Sequence, residues 1–286
     1  MKSMCQALLG ETVGSASSAR LLARGWRAVV ALTAAALLAG CGEIDAEPIS
    51  VHDRSSSTLA DGLLGYWKLD ESSATQPVLD SSQRAGDGTP VNAPLPSALV
   101  APAKIRNVAS RVFNGVDQYI DLGNPAILNF AGPITLAAWV NAASMPEDCR
   151  VVLGHGFRND PHGEVSLRSG HGSCDGEGKP PSWQVGVFDG VDFFAATPIR
   201  GEDIGAWIHL TGTFDGKAWR LYRNAIEVSK LRTAKSPFPF EASWSIGGRV
   251  PVNPSIAPRV LNGSIDEVRL YNRALTPAEV LDLYNL

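Results

Sequence analysis

Near the C-terminus two acids stand side by side, in Ile265-Asp266-Glu267-Val268-Arg269-Leu270-Tyr271. Two carboxyl groups that converge on one glycosidic bond, about 5–5.5 Å apart, can serve as nucleophile and acid. The residues around them alternate as on a half-buried strand. On a regular strand, neighbours point to opposite faces. That places Asp266 with Val268 and Leu270, and Glu267 with Arg269 and Tyr271. A pair divided in this way cannot clasp one substrate. Asp266, on an apolar face, then needs hydrogen-bond donors, a cationic partner or a metal. A hard cation such as Ca2+ takes roughly six to eight oxygens. Asp70 or Asp80, on an N-terminal strand and the loop after it, could join Asp266 around one. The other reading is a carboxylate that accepts turn N–H groups or pairs with an arginine. Glu267 beside Arg269 reads as a surface ion pair, a weak interaction.

A second group of reactive side chains lies in GHGFRNDPHGEVSLRSGHGSCDGEG, which begins at Gly154. His155, His162 and His171, with Asp160 or Glu164, could bind a transition metal, but their spacing matches no zinc motif. Set among glycines and asparagine, they read as part of exposed loops, with His155, Arg158 and Asp160 as candidate ligand contacts. Further on, Trp183, Phe193 and Phe194 stand near Asp189 and Asp192. Aromatic faces stack on the C–H faces of sugars, and carboxylates accept from their hydroxyls. The same aromatic residues could instead fill a core, as expected of Trp67, Trp139, Trp207 and Tyr222 in strand-like patterns. No nucleophile elbow, phosphate loop or Ser-His-Asp spacing is present.

The chain has 286 residues and a net charge of −4, with 19% charged residues and no basic stripe. Nucleic acid is therefore not an expected partner. Arg20, Arg24 and Arg27 precede the apolar run AVVALTAAALLAG, residues 28–40. A charged stretch, a short apolar core and small residues make a secretory signal. The run is shorter than the ~20 residues of a membrane span. Its end, Leu38-Ala39-Gly40-Cys41, resembles a bacterial lipobox. That resemblance implies a signal peptide over residues 1–40 and a lipidated Cys41. It also implies a cell-envelope protein anchored by lipid alone; Gly42 after the cysteine points to the outer membrane or cell surface. Residues 41–61 read as a flexible tether. In an oxidising compartment, Cys149 and Cys174 are most simply a disulfide. Closing that loop would stabilise by roughly 3 kcal/mol.

From Gly62 onward the pattern is short strands and turns. SRVFNG and QYIDLG, residues 110–115 and 118–123, read as a strand pair, and the stretch between Cys149 and Trp207 as long loops. One helix is expected at the end, where Thr276-Pro277-Ala278-Glu279 supplies an N-cap, a first-turn proline and a capping-box acid.

The ordered motifs GYWKLDE, DSS with GDG, VFNGVDQYIDLG, TLAAWV, WIHLTGTFDGKAWRLYRN and NGSIDEVRLYNRALTPAEV resemble the laminin-G-like, concanavalin A-like domains of bacterial surface proteins. The resemblance covers residues 62–286 as one domain. It implies an all-β, antiparallel two-sheet jelly-roll sandwich with a short C-terminal helix and, often, one structural Ca2+. One departure is Asn224-Ala225, where the family has a glycine. Members bind glycans, mediate adhesion or accompany glycosidases, so fold alone does not fix activity. Related glucanases carry E-x-D-x-E on one strand face, and the chain is read as lacking this motif. The expected function is a non-catalytic carbohydrate-binding module. A protein-binding or adhesion module is the alternative, and a glycoside hydrolase comes third.

Overall fold

The structure is a computed structural model and describes residues 59–157, 163–170, 178–251 and 257–286. The expected leader, Cys41, Arg158, Asp160 and Cys174 lie outside the described residues. Pro48–Leu286 forms a compact unit. Among the described residues, two hydrophobic clusters lie within that unit. Among the described residues no helix is long and apolar enough to cross a membrane.

The strands, in chain order, are β1 (Leu63–Trp67), β2 (Thr89–Val91), β3 (Leu95–Ser97), β4 (Ser110–Asn114), β5 (Tyr119–Gly123), β6 (Ile134–Ala142), β7 (Arg150–Phe157), β8 (Gly163–Gly170), β9 (Ser182–Phe188), β10 (Asp192–Pro198), β11 (Ile208–Phe214), β12 (Ala218–Arg223), β13 (Ile226–Arg232), β14 (Trp244–Ile246) and β15 (Asn262–Tyr271). A first antiparallel sheet runs β13-β12-β11-β6-β15-β4-β3, with β1 also paired to β15. A second runs β10-β9-β8-β7-β14-β5-β2. The all-β sandwich expected from the sequence is the observed fold.

Two local expectations fail. SRVFNG and QYIDLG do not pair with each other: β4 pairs with β15 in the first sheet, and β5 with β14 and β2 in the second. The turn between them carries the chain from one sheet to the other. Nor is the stretch from Cys149 to Trp207 mainly loop, since it supplies β7 to β10. Its glycines read as turn signals but are packing positions. A Cβ on Gly186, for example, would lie 2.0 Å from the Phe193 carbonyl oxygen on the neighbouring strand. In β8, Val165 and Leu167 face the core while Glu164, Ser166 and Arg168 take the other face, and all five are buried.

Four fully buried tryptophans occupy the sandwich core, and each indole N–H keeps an acceptor. Trp67 donates to the Gly86 carbonyl at 3.1 Å, Trp183 to Asp203 at 3.2 Å, Trp219 to the Lys235 carbonyl at 2.9 Å and Trp244 to the Leu128 carbonyl at 3.0 Å. A smaller core lies where helix α1 (Pro277–Tyr284) packs Val280 and Leu283 near Tyr222, Tyr271 and Leu275. The expected capping box is formed: Thr276 Oγ1 accepts from the Glu279 N–H at 3.3 Å, and Glu279 accepts from the Thr276 N–H at 2.8 Å.

The two-residue turn between β12 and β13 holds Asn224 at φ 49° and Ala225 at φ 64°. Hairpins favour this pair of positive φ values because its twist matches the strands. Asn tolerates the left-handed region, whereas a Cβ on alanine is disfavoured there by about 1–2 kcal/mol. Ala225→Gly is expected to raise stability by about 0.5–1 kcal/mol, after allowing for the lost methyl contact and the greater chain entropy of glycine. Chemical denaturation should show a higher midpoint at unchanged slope; a lower midpoint would contradict this account of the turn.

Candidate functional site

The acids of β15 do not sit as regular alternation predicts. Glu267 has φ 53°, and the β15–β6 register passes from Asp266 opposite Trp139 to Arg269 opposite Ala137. One extra residue is therefore accommodated in β15, a β-bulge. Directly opposed residues share a face. Trp139 stacks near Tyr284 of α1, and Ala137 belongs to the cluster under that helix. Asp266 and Arg269 thus lie on the outer face of the first sheet, while Val268 and Leu270 enter the core. The expectation that Asp266 shares a face with Val268 and Leu270 is corrected by this bulge.

Both acids are fully buried, so Glu267 is not the surface ion-pair member expected. Its Oε2 accepts the Tyr66 hydroxyl at 2.5 Å and the Arg269 guanidinium at 2.8 Å. Asp266 Oδ2 accepts the Ala101 N–H at 2.9 Å and the Asn107 amide at 2.8 Å. Asp70 Oδ1 accepts the N–H groups of Val108 and Ala109 at 2.9 and 3.0 Å. Burial pushes the Asp266 carboxyl up to about 7, against the pull of those donors, with Glu267 and Asp70 adding to the rise. Burial raises Glu267 too. Neither acid is accessible to a polymeric substrate.

Three buried oxygens in this cluster, Asp266 Oδ1, Glu267 Oε1 and Asn107 Oδ1, have no hydrogen-bond partner among the described residues. No group of three or more His, Cys, Asp or Glu among the described residues is arranged to hold a metal. Asp266, Asn107 and Asp70 nevertheless form the mixed carboxylate and amide set that suits Ca2+ when backbone carbonyls complete it. Asp80 does not fit that set. Its oxygens accept the N–H groups of Tyr66, Ser82, Arg84, Ala85 and Gly86 and the Ser82 hydroxyl. With its lone pairs directed at those donors, Asp80 organises the turn after β1.

The expected sugar contacts separate. Trp183 is sealed in the core, and Phe193 packs against the same core with Lys235 5.3 Å from its ring. Asp189 pairs with Lys235 at 2.6 Å. His155 is 2% exposed, too little to meet a ligand. Its ring stacks on Phe240 at 4.1 Å and Trp244 at 4.9 Å. Asp192 and Phe194, two residues apart on β10, do share a face. They line a groove of about 340 Å³ with Gln184, Lys179, Pro180 and Pro198.

The Arg168 guanidinium lies 3.9 Å from the Phe194 ring centroid and 3.7 Å from Asp192. Arg168 is held from beneath by Glu164 at 3.2 Å and Gln184 at 3.1 Å, and Arg249 reaches Glu164 at 2.6 Å. Burial would raise the Glu164 carboxyl, but the two guanidinium groups hold it at about 2. Phe194 therefore rests on a fixed, ionised platform. Gln184, Lys179 and Arg168 were not singled out from sequence, although the alternation in SWQVGVF and GEVSLRSG would have found the first and last.

The reading that the chain lacks E-x-D-x-E is incorrect: that spacing occurs once, at Glu43-Ile44-Asp45-Ala46-Glu47. It precedes the sandwich and lies outside the described residues. Cys149 is buried at the edge of β7, and its expected pairing with Cys174 involves a residue outside the described ones.

His209 lies beneath α1, with ring centroids 5.1 Å from Trp139 and 6.0 Å from Tyr284. Burial, aided by Arg269, lowers its pKa to about 3. The folded protein therefore holds this ring neutral, while the unfolded chain takes up a proton below about pH 6.5. Its contribution to stability is lost progressively as pH falls from there toward the folded value. Relative to wild type, His209→Gln should gain about 2 kcal/mol between pH 7 and pH 5. Parallel melts at the two pH values check this; a constant difference would contradict a neutral buried ring.

The fold and its groove can be set beside known proteins. The Laminin_G_3 family, described as the concanavalin A-like lectin/glucanases superfamily, matches residues 114–281. No curated protein sequence matches the chain significantly. Domain 4 of an extracellular arabinanase from Geobacillus stearothermophilus, solved with arabinotriose, is 22% identical with a TM-score of 0.55. That alignment covers 78% of this chain and 98% of the arabinanase domain. A Trypanosoma rangeli sialidase, solved with sialic acid, is 18% identical with a TM-score of 0.52, over 78% of this chain and 32% of the sialidase. The receptor-binding domain of a botulinum neurotoxin C/D mosaic is 9% identical with a TM-score of 0.52, over 79% of this chain and 51% of that one. These likenesses are of fold. With two antiparallel sheets, a capped terminal helix and a family match over more than half its length, the chain belongs to the Laminin_G_3 family of concanavalin A-like lectin/glucanase domains.

Proposed function

We propose that this protein is a non-catalytic carbohydrate-binding module, exported and anchored at the cell envelope through a lipid on Cys41. The observation that carries the sugar reading is the β9–β10 groove. Ligand sites combine apolar surface with a few placed polar groups. Phe194, Pro180 and Pro198 supply apolar faces there; Asp192, Gln184 and Lys179 supply polar atoms. The stacked Arg168 occupies one face of Phe194 and fixes the ring, so binding would order few side chains. The arabinanase domain was solved with arabinotriose, which supports testing arabino-oligosaccharides first. A disulfide between Cys149 and Cys174 would hold the neighbouring β8–β9 connection.

The buried acids support a structural role in place of catalysis. A Ca2+ ion would be held by Asp70, Asp266 and Asn107 with backbone oxygens, and would neutralise carboxylates that otherwise lie close together. Bound there, it would fasten the segment 98–109 to β15.

On a glycan array, residues 48–286 should bind a defined oligosaccharide set, and Phe194→Ala should weaken binding at least tenfold, the scale of one lost stacking contact. Unchanged melting would show that the variant folds. Binding to a surface protein that persists in excess sugar would instead favour an adhesion module. Release of sugar from polysaccharide would overturn the non-catalytic reading. Loss of detergent-phase partition in Cys41→Ala tests the anchor. Removal of calcium with EDTA should lower Tm by several degrees, since a native-state ligand at about 100-fold over its Kd contributes about 2.7 kcal/mol. An EDTA-insensitive Tm would contradict the calcium reading.

A further inference from the structure

A second groove, of about 310 Å³, opens on the outer face of the first sheet beside the start of the described chain. Its floor is apolar: Leu59, Leu63, Ile105, Tyr271 and Leu286. The charged side chains that line it, Lys68 and Arg269, are both cationic. Arg269 is committed to Glu267 at 2.8 Å and to the Tyr66 ring at 3.9 Å. Lys68 forms no close ion pair among the described residues, although its charge favours the ionised Glu267 beneath it, and Lys104 and Arg106 are exposed residues on either side of Ile105. Two cations on the lining and two more next to its Ile105 make a local excess of positive charge on a chain whose net charge is −4.

We propose that this groove receives an acyl chain of an anionic phospholipid, with the phosphate held by Lys68, Lys104 and Arg106. Two features select a lipid over a peptide. An apolar floor with Lys68 on its lining and Lys104 and Arg106 next to its Ile105 complements a molecule whose tail is uncharged and whose head is anionic. The groove also adjoins Leu59, where the chain leads back toward Cys41. Residues 41 to 59 can reach about 60 Å at full extension. If Cys41 carries the anchor, this end of the domain lies within reach of the bilayer. The sugar groove, on β9 and β10 of the other sheet, is a separate site, so the two proposals stand or fall independently.

Residues 48–286, which contain both hydrophobic clusters and lack Cys41, make the test independent of acylation. Phosphatidylcholine vesicles, with and without phosphatidylglycerol, are sedimented with the protein at low and high salt. The expected result is binding to the phosphatidylglycerol vesicles that falls with salt. Reversing both Lys104 and Arg106 to Glu should reduce it at least tenfold, at about 1 kcal/mol per basic residue removed. Ile105→Asp should reduce it comparably by blocking the apolar slot. A hairpin variant, Lys217→Glu with Lys230→Glu, with Lys217 just before β12 and Lys230 on the edge strand β13, should leave it unchanged. No binding, equal binding to both vesicle types, or an equal loss from the hairpin variant would overturn the proposal. Full binding by a folded Ile105→Asp variant would overturn the acyl-chain component.

Discussion

One extra residue in β15 sets much of what surrounds it. With Glu267 in the left-handed region, the strand changes phase, and two adjacent carboxylates reach the outer face of the first sheet while Val268 and Leu270 stay in the core. A buried carboxylate without partners is costly, and removing one partner of a buried pair commonly costs about 3–5 kcal/mol. The chain therefore brings donors from distant segments. Tyr66 comes from β1, Ala101 and Asn107 from the segment after β3, and Arg269 from the same strand. The N-terminal strand, that covering segment and the last strand are tied together by the need to satisfy two acids. Glu267 at a strained φ is understandable in these terms, because strain persists where the surroundings over-determine it.

The two sheets consequently offer different surfaces. The outer face of the first is closed by α1 over Tyr222 and Tyr271 and by the segment 98–109 over the acids. The second keeps a polar face whose charges are internally matched: Glu164 between Arg168 and Arg249, with Gln184 alongside. Such a network fixes Phe194 and Asp192 in place on β10 without consuming the groove. Rigid strands would then hold the proposed ligand contacts, a more exact support than loops give. Trp183, the tryptophan that looked most like a sugar platform, is spent on the core, where its indole donates to the Asp203 carboxylate.

Much of the architecture was legible in the sequence because local signals agreed with the fold. The capping box at Thr276 and Glu279 formed as expected, and the motif TLAAWV became a strand, β6. The second sheet was hidden because β7, β8 and β9 contain glycines that close packing requires, and these resemble turn residues. Phe193 was grouped with Phe194 and Asp192, and only their placement on a strand, β10, separates Phe193 onto the other face. The bulge was illegible for a different reason: glutamate has no preference for positive φ, so nothing local announces that Asp266 leaves the core side. Burial of Trp183 and His155 was equally invisible, since an aromatic residue on a strand suits either face until the partner sheet is known.

The proposed ligand site is the β9–β10 edge, not the loops at the ends of the sandwich. A crystal structure of residues 48–286 grown with an oligosaccharide that the domain binds would test this most directly. The predicted result is a sugar ring over the open face of Phe194, with hydroxyl groups within hydrogen-bond distance of Asp192 and Gln184. A sugar seated instead among Asn114, Glu147 and Arg150, which line a separate pocket of about 280 Å³, would contradict it.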